Sequence, residues 1–372
     1  MTNRVASWLA VAVAVACPGS RAVGDPPGWN REAAGKYLDA RCKEWLEFAG
    51  AGRGQGATRT SCVSCHTLLS YALGRPALRT TAGAATPTEA EQALLARTTK
   101  RVEAWASLDT PPYGLLYDFS DPKKRESWGT EAVLNALILA SDDRRQGRGG
   151  PTAVTRKAFA NLWAAQAAEG PQRGSWEWLD FGLEPWESKG GRYYGAALAT
   201  VAVGTAPGYY TPGADPATDA RVELLRAYLK GGFAAQNLHN RVWALRASAA
   251  LDGVLNPGER QGVIDQVLAL QRADGGWGLP ALGDFKRKDG TPQAADSDGY
   301  ATGLVVHALL TAGVGKNHPA VAKGLAWLRA NQAPTGEWRC ASVNKKRDPA
   351  THAGKFMSDA ATAFAVLALS HE

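Results

Sequence analysis

Cys62-Val63-Ser64-Cys65-His66 sets two thiols three positions apart and an imidazole directly after the second. That spacing suits covalent attachment of a c-type haem. Each sulfur can form a thioether to one vinyl group, and the histidine turns onto the iron as proximal ligand. Rival chemistries ask for more than the chain supplies. A structural zinc site takes four ligands, usually with a second Cys-x-x-Cys, and the sequence has no second copy. A thioredoxin-type pair belongs beside a βαβ pattern, and none surrounds these residues. Cys62, Cys65 and His66 are therefore the expected cofactor-binding residues, with covalently attached haem c as the cofactor.

Such chemistry belongs outside the cytoplasmic membrane, and the N-terminus agrees. Arg4 gives a short basic region, Val5 to Cys17 is uncharged and mostly apolar, and Ala22-Val23-Gly24 offers a cleavage site before Asp25. The apolar run falls well short of the ~20 residues of a membrane span. Residues 1–24 thus read as a secretory signal peptide, and the protein as periplasmic or otherwise exported. Cys17 in a poor lipoprotein box leaves lipid anchoring as the lesser variant. Of 372 residues, 45% are hydrophobic, ample for a large core. The net charge of +7 is scattered over short clusters such as Lys123-Lys124-Arg125 and Lys345-Lys346-Arg347. These suit solvated loops or an acidic redox partner and form no nucleic-acid-binding stripe.

The elements that must position the motif are helices. Charged, one-faced segments lie near 32–48, 88–107, 153–168, 217–231, 258–271 and 318–331. They alternate with nearly apolar segments near 65–78, 129–142, 192–204, 238–252, 298–312 and 358–370. A helix apolar all round must be buried, and a one-faced helix covers it. Six such pairs predict an all-α (α/α)6 toroid in a single domain over residues 25–372. The haem-bearing pair covers 25–80 and opens inner helix one, and no strand pattern is evident.

Gln271-Arg272-Ala273-Asp274-Gly275-Gly276-Trp277 and Gln332-Ala333-Pro334-Thr335-Gly336-Glu337-Trp338 both fit Gln-x-x-x-Gly-x-Trp, with a looser copy around Gln166 and Gly174-Ser175-Trp176. Over roughly 150–372 the chain resembles the squalene-hopene cyclase and prenyltransferase-like superfamily. The resemblance implies that these glutamines and tryptophans staple outer helices to their neighbours. It also points to Asp296-Ser297-Asp298, which is similar to the acidic element with which family cyclases protonate polyenes. Gly299 stands where that element has its last aspartate. Asp298 is thus a candidate acid whose simpler role is to cap an inner helix.

In a closed ring the inner helices start at one mouth. His66, Trp128, Glu131, Arg192, Tyr193, Tyr194, His239, Arg241, Asp298, Tyr300, Met357 and Asp359 are expected there, with Trp176, Trp178 and Trp186 in the preceding loops. Met357 opens inner helix six, beside inner helix one, and is the expected second iron ligand. His239, His352 and an open site are the alternatives. Cys42 lies near the end of outer helix one and Cys340 follows outer helix six, its neighbour in a closed ring, so the two could form a disulfide at the seam.

The function expected is electron transfer or haem-based redox chemistry with a redox partner protein. Were it an enzyme, a haem oxidoreductase is expected before a cyclase, with His239 and Tyr193 as proton handlers. The alternatives are a terpenoid cyclase or isoprenoid-binding enzyme with an accessory haem and Asp298 as acid, or a module binding lipid, polysaccharide or another small hydrophobic ligand.

Overall fold

Helices without a polar face have nowhere to go but inside, and that rule builds this molecule. The computed structural model describes residues 28–81, 83 and 86–371; the expected signal peptide lies outside them. Twelve α-helices, numbered in chain order, run through the described residues. The outer set is α1 (Arg31–Glu47), α3 (Glu89–Glu103), α5 (Ala153–Ala165), α7 (Pro216–Gly232), α9 (Pro257–Ala269) and α11 (Pro319–Ala330). The inner set is α2 (Leu68–Thr81), α4 (Asp121–Arg145), α6 (Gly191–Thr205), α8 (Leu238–Ala250), α10 (Gly299–Thr311) and α12 (Phe356–Leu369). Burial separates the two sets: every residue from Met357 to Leu369 of α12 is buried, whereas α9 buries only Val263 and Val267.

Each inner helix touches the next, and α12 closes the circle onto α2. The chain is therefore an all-helical α/α toroid, as its pattern predicts. Small residues let the inner backbones approach. A Cβ on Gly74 would lie 2.8 Å from the Ala363 carbonyl oxygen, and one on Gly303 would lie 2.6 Å from the Ala365 nitrogen. No described helix is long and apolar enough to cross a membrane.

The Gln…Trp copies hold the outer ring. Gln271 Nε2 donates to the Gly275 and Ala320 carbonyls at 2.8 and 2.7 Å, so it ties the end of α9 to the start of α11. Gln332 does the same from α11 to Asn30, the cap of α1, at 2.9 Å. Gln166 reaches Arg221 in α7 at 3.1 Å. The partner tryptophans Trp176, Trp277 and Trp338 each donate Nε1 to a carbonyl of their own outer helix at 2.7 Å. The intervening glycine is dictated by backbone. Gly336 sits at φ +101°, and a Cβ there would lie 2.2 Å from the Ala33 carbonyl oxygen.

One element departs from the helical expectation. Gly52–Arg53 pairs antiparallel with Thr60–Ser61, in a hairpin too short to show any alternation in sequence. It leads straight into Cys62.

Candidate functional site at the mouth of the ring

The Cys62–His66 segment forms the turn that enters α2. Cys62 N–H donates to the Ala51 carbonyl at 2.8 Å, and Trp45 Nε1 donates to the Cys62 carbonyl at 2.8 Å. Ser64 Oγ accepts from the Thr67 and Leu68 amides at 3.1 and 3.2 Å, and so caps the helix. Behind the hairpin, Arg101 holds Thr60 Oγ1 at 3.0 Å and pairs with Glu131, both side chains buried. Glu131, expected at the mouth, thus fixes the motif's approach.

His66 opens onto a cleft of about 720 Å³ between α1, the starts of α2 and α12, and the loops around 181–187 and 342–353. That size is ordinary for a cofactor or small-molecule site. The imidazole stacks on Phe356 (3.9 Å between centroids) and meets Trp45 edge-on at 4.9 Å. Its Nδ1 lies 2.8 Å from Thr67 Oγ1, and Thr67 donates its hydroxyl proton to Asp359 Oδ2 at 2.7 Å. With that proton spent, Thr67 Oγ1 can only accept from Nδ1–H, which leaves the lone pair on Nε2. Asp359 is itself held by Arg41 at 2.7 and 2.9 Å and by Tyr37 at 3.0 Å. Burial pulls on Arg41, but its bonds to Asp359 and Glu44 carry it above the usual guanidinium range. Burial lowers His66 to a pKa of about 3, so the ring is neutral and fit to coordinate.

His352 shares the cleft and a similar construction. Its Nδ1 is 2.5 Å from Glu44 Oε1, and its ring lies over Trp45, near parallel at 5.8 Å. Its Nε2 is buried and has no hydrogen-bond partner among the described residues. Met357 lines the same wall and is 5% exposed. Cys62 lines the cleft as well, whereas Cys65 is buried behind it, within electrostatic reach of Cys62 and Glu187. Burial pushes the Cys62 thiol up to about 12 and holds Cys65 well above the usual thiol range, so both are thiols rather than thiolates. No group of three or more His, Cys, Asp or Glu among the described residues forms an ion site.

The sequence reading missed Glu187. It lines the cleft beside Trp186, and burial raises its carboxyl to about 7. Its place one residue after a mouth tryptophan was the only signal available.

Other expected residues are engaged elsewhere. Asp298 caps α10: one oxygen accepts from Ala301 N–H at 2.8 Å and the other from Leu279 N–H at 2.6 Å. With both oxygens on backbone donors, it is a structural cap and lines no part of the cleft. His239 is fully buried, with Nε2 2.9 Å from Tyr300 Oη, which also accepts from Trp186 at 3.0 Å. Tyr193 donates to the Leu229 carbonyl at 3.0 Å between α6 and α7. Neither His239 nor Tyr193 reaches the cleft. The ring's centre is filled instead by Trp186, Tyr194, Trp243, Tyr300 and Phe364. Cys42 and Cys340 are both free. Cys42 Sγ turns toward α3, 3.8 Å from the Ala90 carbonyl oxygen, while Cys340 lies against Asp298 at the start of α10. Adjacent helices did not bring the two thiols face to face.

Known proteins match the ring. The family model described as squalene-hopene cyclase C-terminal domain matches residues 237–371, the stretch that carries α8 to α12 and the two clear Gln…Trp copies. Cys62–His66 lies outside that match. No curated protein matches the chain. The solved structure of a glycosidase variant is similar at a TM-score of 0.50 and 13% identity, covering 91% of this chain and 96% of that one. At that identity the likeness is one of fold. The all-helical fold of the ring is similar to that of both.

Proposed function

We propose that the mouth cleft holds a covalently attached haem c and that the protein is an exported redox protein. The observation that carries the reading is one cleft lined by Cys62, by His66 with its Nδ1 anchored, and by His352, whose Nδ1 is held by Glu44 and whose Nε2 has no partner. Cys62 and Cys65 would supply the thioethers, and His66 the proximal ligand. His352 displaces Met357 as the preferred second ligand, because a carboxylate on Nδ1 fixes its ring and nothing else uses its Nε2. Bound haem would supply one-electron chemistry. Trp45, Trp186 and Phe356 exclude water from the wall. Arg347 lines the cleft beside Lys345 and Lys346, a basic rim suited to propionates and to an acidic redox partner. Glu187 can take or give a proton near pH 7.

A second reading rests on the family match: an isoprenoid-type apolar ligand in the same aromatic cleft. Its acid would be Glu187 rather than Asp298, since Asp298 is committed to two backbone amides.

Expression in a host that exports and matures c-type haem separates the two. The expected product carries haem that survives denaturation, shows a pyridine haemochrome spectrum, and loses both in Cys62→Ser and Cys65→Ser. His352→Ala should open the ferrous form to carbon monoxide, which the parent excludes. Colourless protein of unmodified mass, stabilised by farnesol, would overturn the haem reading in favour of the second.

A further inference from the structure

The opposite end of the ring carries a different chemistry. A cavity of about 450 Å³ lies among the last turns of α2, α4, α6, α8, α10 and α12. Its charged and titratable lining is Arg144, Arg145, Arg246, His307 and His371, and none of its described lining residues is a carboxylate. Arg145 Nη2 donates to the Leu73 carbonyl at 2.5 Å, but its Nε is buried without a partner. Arg246 lies over the Trp243 ring at 5.1 Å, and its Nη1 is likewise unpartnered. His307 is 4% exposed; its Nδ1 faces His371 Nε2 at 3.1 Å, and its Nε2 has no partner. If His371 donates in that contact, the His307 proton sits on Nε2, a third donor. Ser370 Oγ is also unpaired.

Arginines near helix C-termini can be explained by the negative end of the dipole. That account requires their N–H groups to end on carbonyls, and among these three unpaired donors none does. Arg145 acts on Arg246 as a like charge, and no described carboxylate on the shared wall offsets the two, so an anion held between them would relieve their repulsion. Burial lowers Arg145 and Arg246 only to about 10, so both are cationic at neutral pH. Asp142 and Glu91 act on Arg145 from outside the cavity.

We infer that this cavity is an anion-binding site, in which the Arg145 and Arg246 guanidinium groups, with His307 and His371 beside them, receive the phosphate group of a small organic molecule. The cavity has room for more than a bare oxyanion, and its wall continues into Leu73, Val201 and Leu367. The inference is independent of what the mouth holds.

Calorimetric titration of the whole protein at low ionic strength with inorganic phosphate, pyrophosphate, glycerol 3-phosphate and citrate tests it. Saturable binding of one phosphate compound per chain is expected, tightest for glycerol 3-phosphate. Arg246→Gln should weaken it at least about tenfold, equivalent to ~1.4 kcal/mol. Should that variant fail a circular-dichroism check for folding, His307→Gln and Arg246→Lys replace it, and each should still weaken binding several-fold. Absence of binding by the parent protein, equal affinity in parent and variants, or a preference for citrate would overturn the proposal.

Discussion

The two ends of the ring are built from the same inner helices and treat charge in opposite ways. At the mouth, where helix N-termini converge, the cleft is aromatic, its buried histidine is neutral, and its carboxyl is raised toward 7. At the far end, where C-termini converge, guanidinium groups stand with donors unused. The difference shows which force decides. A helix end is worth roughly 0.3–1 kcal/mol to a nearby charge. A charge-assisted hydrogen bond is worth about 1.5–3 kcal/mol. Side chains, not dipoles, therefore set what each end can bind.

The largest way to break the comparison is to remove the ion that locks the mouth. Arg41→Met leaves Asp359 buried without its cation, and loss of one partner of a buried pair costs about 3–5 kcal/mol. The denaturation midpoint should fall accordingly. The Asp359–Thr67–His66 chain should loosen with it, weakening retention of a ligand at the mouth while phosphate affinity at the far end stays at the parent value. A fall in both would mean that the two ends share one cooperative support.

Much of this division could be read from the chain, and what could not has a common cause. The alternation of one-faced and all-apolar helices needs no tertiary knowledge, because each helix reports its own burial; α10 and α12 announce the core by themselves. Gln332 and Trp338 were expected as staples from the motif's resemblance to a known repeat, and the copies here repeat the same local geometry. Cys62 and His66 stood out as candidates because they fall within five consecutive residues, and both line the mouth cleft. Glu44 and His352, by contrast, are 308 positions apart and meet only when the ring closes. The far cavity has the same character: Arg145, Arg246 and His307 come from three helices, and each looks ordinary in its own segment. His307 sits within the apolar run of α10, and nothing in that segment announces its unpartnered Nε2. Sequence adjacency also misled. Helices α11 and α1 are neighbours, yet neighbourhood does not aim Cys42 and Cys340 at each other.

The second prediction uses pH to sharpen the contrast. Glu187 has a folded pKa of about 7, above its unfolded value near 4.3, so its ionisation opposes folding. That penalty is absent below about pH 4 and grows until the pH passes 7. Glu187→Gln should therefore stabilise the protein at pH 8, by on the order of 2–3 kcal/mol, and leave it unchanged at pH 4. His66 and His239, lowered to about 3 and about 4, act in the other direction. Their contribution is whole above the unfolded pKa near 6.5 and is lost as pH falls toward those values. The advantage of the glutamine variant over the parent should appear above about pH 4, grow through pH 7 and stay constant beyond it. A variant whose stability tracks the parent's from pH 4 to pH 8 would place the carboxylate in water rather than in the cleft wall.

The smallest effect expected is at Asp298, where the cyclase-like reading expects the largest. Its two oxygens close the first turn of α10 and hold the Leu279 amide, so the side chain acts as a cap with one additional tie. Loss of a cap acceptor costs about 1 kcal/mol. Asp298→Ala should lower stability by that amount or slightly more, and Asp298→Asn by less, since its carbonyl oxygen can still accept from Ala301 N–H. Neither change alters the wall of the mouth cleft or the donors of the far cavity, so spectra, ligand retention and phosphate affinity should be those of the parent protein. An Asp298→Asn variant that folds normally but loses a ligand-dependent activity would give the carboxyl a proton to deliver. The polyene acid of the cyclases would then have survived here in spite of Gly299.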